Sequence, residues 1–335
     1  MAAYTTIDDP TAYFQTELYT GDSGTSHART FDSDTNMQPN LVWIKGRNIA
    51  ESSRVYDSVR GADKHLSTNA TAAEASDFDL TSFDSDGFTI NSADQSVNSS
   101  SYTYAAWCWK ESATAGFDIV SFTGNATDDR DISHSLSAVP HFWVTRNRAD
   151  TESWVVYHHK NTSAPETDFL LLDATQATTD NAVVWSDEAP TSSVYTVGND
   201  NSTNGNTDAM ITYLWRSVQG YSKIGSYTGN GNADGTFVYT GFLPAFILVK
   251  SVGDNDWVLF DNKRPGYNGS SERYRVNQSA VVLSSTGEYS VDHVSNGFKF
   301  RGSGGGTNES GTTFIYMAFA EAPFVNSEGV PCNAR

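Results

Sequence analysis

Cysteine and positive charge are scarce in this sequence. Only Cys108 and Cys332 occur among the 335 residues, and two thiols cannot build the disulfide framework of a small secreted domain. The 21 lysines and arginines are set against 40 aspartates and glutamates, which gives a formal net charge of −19. Because an acidic surface repels phosphate groups, we expect no nucleic-acid partner.

Long apolar runs and a secretory leader are also missing. No stretch approaches the roughly 20 consecutive apolar residues that a membrane helix needs, so we expect no membrane span. Residues 1–10 contain neither a basic region nor an apolar core of the kind found in signal peptides. We therefore expect a protein that is made and folded in a cytoplasm.

Strong helix formers are sparse, and no heptad pattern occurs. Aromatic residues make up 13% of the chain and charged residues only 18%, while Ser, Thr, Asn, Asp and Gly supply much of the remainder. Aromatic side chains suit a pleated sheet, and small polar residues suit turns. The composition predicts an all-β protein.

One pattern occurs three times along the chain. A proline followed by a short apolar run, which is typical of a buried strand, begins at Pro39, Pro140 and Pro244, 101 and 104 residues apart. A Thr-Gly turn recurs at Thr20, Thr123 and Thr228, and the last aromatic residue of a closing strand recurs at Trp109, Trp215 and Phe319. These landmarks keep the same spacing, so we predict three tandem units.

The predicted units are segment 1 (residues 13–111), segment 2 (112–217) and segment 3 (218–324). Each has about 105 residues and about six strands, the size of a two-sheet sandwich of the jelly-roll or lectin-like kind. Residues 1–12 form a polar arm, expected to be ordered by a partner, and residues 325–335 form a C-terminal tail. The short links 110–116 and 216–220 leave open whether neighbouring segments pair as hairpins.

Several stretches resemble one known family. They are Leu-Val-Trp-Ile-Lys, Tyr-Asp-Ser-Val-Arg-Gly and Lys-His-Leu-Ser within residues 41–66, Thr81–Phe88, Tyr104–Lys110, Gly225–Tyr239, and the ending from Ala322. Over nearly its whole length the chain resembles a triplicated domain family of unknown function, which is common in marine bacteriophage structural proteins. The resemblance implies a tail-fibre-like or other virion component and supplies no catalytic residues. Segment 2 departs most, with His158-His159 in place of Tyr56-Asp57.

Asp84 and Asp86 are the weak metal-ligand candidates, because Asp84-Ser85-Asp86-Gly87 looks like a fragment of a calcium loop. The further ligands and the closing Glu of such a loop are absent, and Asp-Gly is also favourable turn chemistry. The turn interpretation is preferred, and neither a metal nor a cofactor is expected. His158 and His159 are adjacent on a predicted strand, so their side chains point to opposite faces and do not easily share an ion.

Two further features are weak candidates for partner contacts. Six tryptophans stand at strand positions and are predicted to be core: Trp43, Trp107, Trp143, Trp154, Trp215 and Trp257. Trp185, in a loop of segment 2, is the tryptophan least explained by strand packing. The densest basic cluster on the chain consists of Lys263, Arg264, Arg273 and Arg275, and it could dock on an acidic partner.

The motifs of common enzyme classes do not occur, namely Gly-x-Ser-x-Gly, a P-loop or His-Glu-x-x-His, so we expect a protein that is not an enzyme. The leading hypothesis is a tail-associated, fibre-like or receptor-binding virion protein, assembled in the host cytoplasm. Its expected partners are other virion proteins, a host-surface glycan or receptor, and further copies of itself, with a homotrimer favoured. A head decoration protein is the alternative because no shaft repeat is present. A glycan depolymerase is the third hypothesis.

Overall fold

Antiparallel strands make up most of the fold, and the predicted all-β class is confirmed. A computed structural model describes residues 3–264, 268–269, 271–284 and 287–332. In that part of the chain the only α-helices are α1 (Ala182–Trp185) and α2 (Asn201–Asn204), and two 3-10 turns lie at Pro10–Ala12 and Pro165–Thr167. The six tryptophans predicted to be core are all buried.

Segment 1 contains nine strands. They are β1 (Phe14–Thr20), β2 (His27–Thr30), β3 (Leu41–Gly46), β4 (Arg54–Asp57), β5 (Gly61–Leu66), β6 (Ala75–Ser76), β7 (Leu80–Asp84), β8 (Gly87–Ile90) and β9 (Thr103–Trp109). Six of them form a large sheet in the order β1-β9-β3-β4-β5-β6, and the other three form a small sheet in the order β2-β8-β7. Every residue of β3 is buried because both faces of the large sheet are covered.

Segment 2 contains eight strands and both helices. The strands are β10 (Phe117–Thr123), β11 (Arg130–Ser133), β12 (Phe142–Asn147), β13 (Val155–His158), β14 (Asp168–Leu171), β15 (Thr179–Asp180), β16 (Val194–Val197) and β17 (Ala209–Trp215). The large sheet has the order β10-β17-β12-β13-β14-β15, and the small sheet consists of β11 and β16.

The described residues of segment 3 form nine strands. They are β18 (Ser222–Thr228), β19 (Phe237–Tyr239), β20 (Phe242–Ser251), β21 (Val258–Asp261), β22 (Glu272–Arg275), β23 (Leu283–Ser284), β24 (Val291–Val294), β25 (Gly297–Phe300) and β26 (Thr313–Pro323). The large sheet has the order β18-β26-β20-β21-β22-β23, and the small sheet has the order β19-β25-β24. The three large sheets therefore share one strand order.

The opening strand of each large sheet pairs with the closing strand of its own segment. These antiparallel pairs are β1 with β9, β10 with β17, and β18 with β26. The links 110–116 and 216–220 thus join separate sheets and do not close hairpins between neighbouring segments. That the three segments arose by triplication stays a prediction.

One face of each large sheet packs on the small sheet of the same segment, which gives each segment a sandwich core. In segment 1 this core includes Val42, Tyr104 and Phe88. In segment 3 it includes Val249 and Phe298. The sandwich character predicted from composition and segment size is therefore present in the structure, although the two layers are unequal in strand number.

The opposite faces of the three large sheets meet in a single shared core. Trp109 of segment 1 lies within it, with ring-centroid distances of 5.0 Å to Phe14, 5.4 Å to Phe246 and 6.2 Å to Trp215. These three partners come from all three segments. The segments thus bury one another's apolar surface and do not have three independent cores.

The same backbone hydrogen bond links the segments in a closed ring. It runs from segment 1 to segment 2, from 2 to 3, and from 3 back to 1. The pairs are Glu74 N–H to Arg148 O at 2.9 Å, Thr178 N–H to Val252 O at 2.9 Å, and Val282 N–H to Arg47 O at 3.0 Å. Indole N–H groups add to two of these seams, from Trp154 to Ser67 O and from Trp257 to Leu171 O, each at 2.8 Å.

A buried polar group ends the fourth strand of each large sheet and reaches across a seam. In segment 1, Asp57 accepts hydrogen bonds from Arg60 and, at 2.6 Å, from the Tyr213 hydroxyl of segment 2. In segment 3, Asp261 accepts from Arg264 at 2.7 Å and from the Trp107 indole of segment 1 at 3.2 Å. In segment 2 the register places His158 opposite Phe142, as Asp57 lies opposite Leu41. His158 therefore replaces Asp57, which corrects the alignment with Tyr56 that the sequence suggested.

A buried asparagine pins the long polar stretch before each closing strand. The side chains of Asn98, Asn204 and Asn308 are fully buried. Each carboxamide oxygen accepts from the backbone N–H that follows the Thr-Gly turn, at 3.0 to 3.2 Å, and each Nδ2 donates to a carbonyl six residues earlier, at 2.8 to 2.9 Å. Because buried polar groups need such partners, these residues fix loops that composition alone presents as open.

The N-terminal arm is ordered by its own chain, which corrects the expectation that a partner orders it. Ile7 is buried in the shared core, and Thr5 Oγ1 donates to Gln219 O at 2.8 Å. The backbone N–H of Ser327 in the tail donates to Asp8 at 2.6 Å. The described part of the arm thus ties segment 1 to segment 3 and to the C-terminal tail.

Candidate functional site

Asp84 and Asp86 lie at the turn of the β7–β8 hairpin. Asp84 accepts hydrogen bonds from Ser82 Oγ and Thr89 Oγ1, both at 2.7 Å, and Asp86 accepts one from the backbone N–H of Met37 at 3.2 Å. Gly87 has φ of 125°, a conformation that glycine adopts without strain. Within the described ranges, no group of three or more His, Cys, Asp and Glu side chains is arranged to hold a metal ion.

Trp185 is core, and the structure corrects the expectation that it contacts a partner. It ends helix α1 with only 1% of its surface exposed. Its ring packs edge-on against Trp143 at a centroid distance of 5.2 Å. Both faces of the ring are enclosed, so it cannot contact a ligand. Helix α1 packs this side chain into the sandwich core of segment 2.

The predicted basic cluster does not form one exposed patch. Arg264 is ion-paired with Asp261 and lies 4.2 Å over the Tyr274 ring. Arg273 is buried and lies 3.8 Å over Tyr289, and Arg275 pairs with Asp256 at 3.0 Å. Lys263 alone of the four is exposed. A docking role for Lys263 stays a prediction, but the three arginines act within the fold.

An open cleft lies between two edge strands of segment 3. β18 is the edge of the large sheet and β19 is the edge of the small sheet, and the space between them measures about 360 Å³. We call it the β18–β19 cleft. The residues that line it are Lys160, Lys223, Ile224, Gly225, Ser226, Tyr227, Phe237, Val238, Tyr239 and Tyr316.

Alternation along β19 places two aromatic side chains in solvent at this cleft. Val238 points into the sandwich core, whereas Phe237 and Tyr239 are 45% and 48% exposed. Side chains two residues apart share one face of a strand, so both rings lie on the outer side of β19. Two exposed aromatic side chains on the same face of one strand add apolar surface to the cleft, and apolar surface of this kind can mark a binding site.

The cleft is cationic on a strongly acidic protein. Lys160 from segment 2 is exposed, and Lys223 is half-buried. Lys223 Nζ donates to Tyr239 O at 2.8 Å and lies 5.2 Å from the centre of the Tyr239 ring. Burial lowers the pKa of Lys223. No acidic side chain is found among the described residues that line the cleft.

A glycine keeps the cleft open. Gly225 pairs with Tyr316 in the sheet, at the position that Glu17 occupies in segment 1 and Val120 in segment 2. A Cβ atom at Gly225 would lie 2.8 Å from the Tyr316 hydroxyl oxygen. A side chain at position 225 would therefore occupy the cleft or displace that ring.

Contacts from outside segment 3 hold the cleft walls. The hydroxyl of Tyr4 in the arm donates to Gly241 O at 2.9 Å and lies 3.3 Å from the Tyr239 hydroxyl. His159 of segment 2 donates from Nε2 to Ile224 O at 3.1 Å. A site supported on both sides in this way is pre-organised before any ligand arrives.

A related cleft of about 220 Å³ lies along β1, but its charges are mixed. It is lined by Glu17, Asp32, Lys263 and Glu321 among others. Burial raises the pKa of Glu17, although Arg29 pairs with it. Lys263 follows Asp261 as Lys160 follows His158, so the two clefts occupy equivalent seams. Of these two clefts, only the β18–β19 cleft has lysines and no carboxylate among the described residues that line it.

A family model described as "Domain of unknown function (DUF7483)" matches residues 9–323. The chain belongs to the DUF7483 family. No curated protein and no solved structure matches it.

In this DUF7483 protein, three histidines lie beside the cleft at the seam of segments 2 and 3. The His141 and His159 rings stack at 4.3 Å, and His158 Nε2 donates to Tyr316 O at 3.3 Å. Burial, with the neighbouring histidines, lowers the pKa of His158 to about 3 and that of His159 to about 4. Burial, with Arg216 and Lys160 nearby, also lowers the pKa of His141. All three are neutral at neutral pH.

We expect acid to weaken this seam. A histidine whose pKa is depressed by folding contributes stability above its unfolded pKa, near 6.5, and that stability is lost as pH falls toward the folded pKa. The loss is about 1.4 kcal/mol per pH unit for each such group. The variant His158→Gln keeps a donor for Tyr316 O but does not titrate. Its melting temperature should therefore fall less than that of the wild type between about pH 6.5 and pH 4.

The effect must be measured as the difference between His158→Gln and the wild type, because other titrating groups make the fold more stable as pH falls. Burial, with a neighbouring carboxylate, raises the pKa of Glu111 and of Asp79 to about 7 in each case, and their protonation stabilises the fold on acidification. Both groups are present in wild type and variant, so their effect cancels in the difference. Equal acid sensitivity of the two proteins would contradict the assignment to His158.

No helix in the described part of the chain has both the length and the apolar character needed to cross a membrane.

Sequence reasoning missed the residues of the β18–β19 cleft. The available signal was a difference between segments: the register aligns Phe237 with Ala28 and Asp131, and Tyr239 with Thr30 and Ser133. A pair of exposed aromatics at positions that are small or polar in the other two segments is not required by the sandwich that all three segments share. The sequence of β19 is not similar enough to those of β2 and β11 for the three strands to be matched without the structure, so the difference was not visible.

Proposed function

We propose that this DUF7483 protein is a non-enzymatic component of a bacteriophage particle, tail-associated and fibre-like or receptor-binding. The observation that carries the binding role is the β18–β19 cleft, in which exposed aromatic rings and two lysines stand on a rigid β scaffold. Adaptable binding surface on a rigid scaffold is a common arrangement for recognition. The placement in a phage particle is supported by the resemblance of residues 41–66 and 81–88 to marine phage structural proteins.

The triplicated origin of the three segments is part of the same proposal. It is supported by one strand order in three large sheets and by the closed ring of equivalent hydrogen bonds. A repeated unit packed into a ring gives a stiff body with large outer faces. Further assembly into a homotrimer remains a prediction, which the mass of the purified protein in solution would test.

A head decoration protein is the second candidate. The observation that favours it is the compact ring: in the described part of the chain all three large sheets pack on one shared core, without an elongated shaft of repeats. Tail fibres commonly carry such a shaft. As a decoration protein, the same rigid body would bind to the capsid surface of the head and not to the tail.

The test is the copy number of the protein in purified particles, measured by quantitative mass spectrometry against the major capsid protein. We expect a small number in multiples of three or six, as for a tail component. Hundreds of copies would favour decoration, and absence from particles would overturn the proposal. Release of reducing sugar from host polysaccharide by the purified protein would contradict the non-enzymatic role.

A further inference from the structure

We infer that the β18–β19 cleft binds a negatively charged sugar, that is, a pyranose carrying a carboxylate or a sulfate. The inference deepens the proposed function and rests on it for the source of the ligand, a host-surface polysaccharide. It follows from three properties of the cleft: its charge, its aromatic face and its confinement to segment 3.

Charge selects an anion. The chain carries a formal net charge of −19, so most of its surface repels polyanions. The lining of the cleft contributes Lys160 and Lys223 with no carboxylate among its described residues. An anionic ligand can therefore approach here and meet two ammonium groups, whereas the equivalent cleft along β1 would oppose it with Glu17, Asp32 and Glu321.

The aromatic face selects a ring with apolar C–H surface. Phe237 and Tyr239 stand on one side of β19 and are each nearly half exposed. Alternate residues of a strand are about 7 Å apart, so the two exposed rings form a platform with a spacing that suits one or two sugar residues. A small inorganic anion would use the lysines and leave this platform uncovered, while a sugar with an acidic substituent uses both.

Confinement to segment 3 argues against a purely structural origin. The aligned positions in the other segments hold Ala28 and Thr30, or Asp131 and Ser133, and those sandwiches form without exposed aromatics there. Gly225 removes the side chain that Glu17 or Val120 supplies elsewhere. The sandwich itself therefore does not require the pair of rings. Tyr239 also contacts Tyr4 and Lys223, and a binding role accounts for the exposed surface that remains on both rings.

The experiment measures binding of the full chain to immobilised polygalacturonate, dextran sulfate and neutral dextran by biolayer interferometry. We expect binding to one or both charged polymers, no binding to dextran, and weaker binding as NaCl rises from about 50 mM to about 500 mM. The two charged polymers distinguish a carboxylate from a sulfate preference. Equal binding to neutral dextran, or no binding to either charged polymer, would overturn the inference.

Variants locate the site. Phe237→Ala with Tyr239→Thr, which copies segment 1, should weaken binding about tenfold or more, and so should Lys160→Gln with Lys223→Gln. The matched controls are Phe78→Ala, at an aromatic that is 62% exposed in segment 1, and Lys263→Gln, at the equivalent lysine of the β1 cleft. Both controls should bind as wild type does. Full binding by either double variant, with an unchanged melting temperature, would overturn the assignment.

The outcome is separable from that of the proposed function. A protein that is present in particles but binds no charged polymer keeps its particle role and loses the sugar site. A protein that binds through this cleft but is absent from purified particles keeps the sugar site and loses the particle role.

Discussion

Replacing Asp57 by alanine is expected to lower the free energy of unfolding by about 3–5 kcal/mol, because it leaves a buried charge without its partner. The side chains of Asp57 and Arg60 are both fully buried. The substitution removes the carboxylate that accepts from the Arg60 guanidinium and from the Tyr213 hydroxyl. Glu74 still contacts Arg60 at 3.1 Å, so the loss should stay within that range. Urea denaturation of the full chain measures it.

The natural sequence of segment 2 supplies the control. There the equivalent pair is His158 and Asn161, with no buried charge to balance. The double variant Asp57→His with Arg60→Asn should therefore be more stable than Asp57→Ala alone, since both partners are changed together. If the free energy of unfolding of Asp57→Ala lies within about 1 kcal/mol of the wild-type value, the pair is not buried from solvent as we describe.

Replacing Trp109 by alanine is expected to cost about 3–5 kcal/mol, the usual loss for a large buried aromatic side chain. Trp109 touches Phe14, Phe246, Phe319 and Trp215, so the cavity would open where all three segments meet. The variant should unfold in a single transition at a lower melting temperature, because every segment loses packing at once. Differential scanning calorimetry measures both the drop and the number of transitions.

An exposed aromatic provides the comparison for Trp109. Phe78→Ala should change stability by less than about 0.5 kcal/mol, as surface substitutions usually do. If Trp109→Ala instead produced two separate transitions, with one at the wild-type temperature, the segments would fold independently. That result would contradict the single shared core.

The strands were predictable because their signals are local. An apolar run after a proline, a Thr-Gly turn and a closing aromatic each depend on neighbouring residues, so the all-β class followed from composition and spacing. The six strand tryptophans were assigned to the core for the same reason. What spacing does not contain is the partner across a seam. Nothing local links Trp154 to Ser67 or Val282 to Arg47.

The site predictions fared less well for a related reason. Arg264, Arg273 and Arg275 are close in sequence, but carboxylates and aromatic rings brought in by the fold engage each of them. Trp185 lies in a polar stretch, yet four residues of helix turn it inward. Arg146 is buried, and its guanidinium donates to Thr71 O and Ala72 O of segment 1.

The arm shows the same limit at the chain terminus. Polar composition suggested that residues 1–12 lack order without a partner, because few apolar groups were available to hold them. The fold supplies that partner from within, through the buried side chain of Ile7 and the hydrogen bonds of Thr5 and Asp8. These hydrogen bonds join the arm to residues more than 200 positions away in the sequence, and a local sequence pattern does not encode such pairs.

The closed ring also sets how the molecule assembles. Three separate chains that met around a common centre would come apart on dilution, and their melting temperature would depend on concentration. Here peptide links join the three segments, so the ring closes within one molecule. Its formation does not depend on protein concentration, and every ring contains three segments. Each position in the ring is also encoded separately, so one of the three can acquire a feature, such as Gly225 with Phe237 and Tyr239, while the other two keep the sequences that hold the ring together.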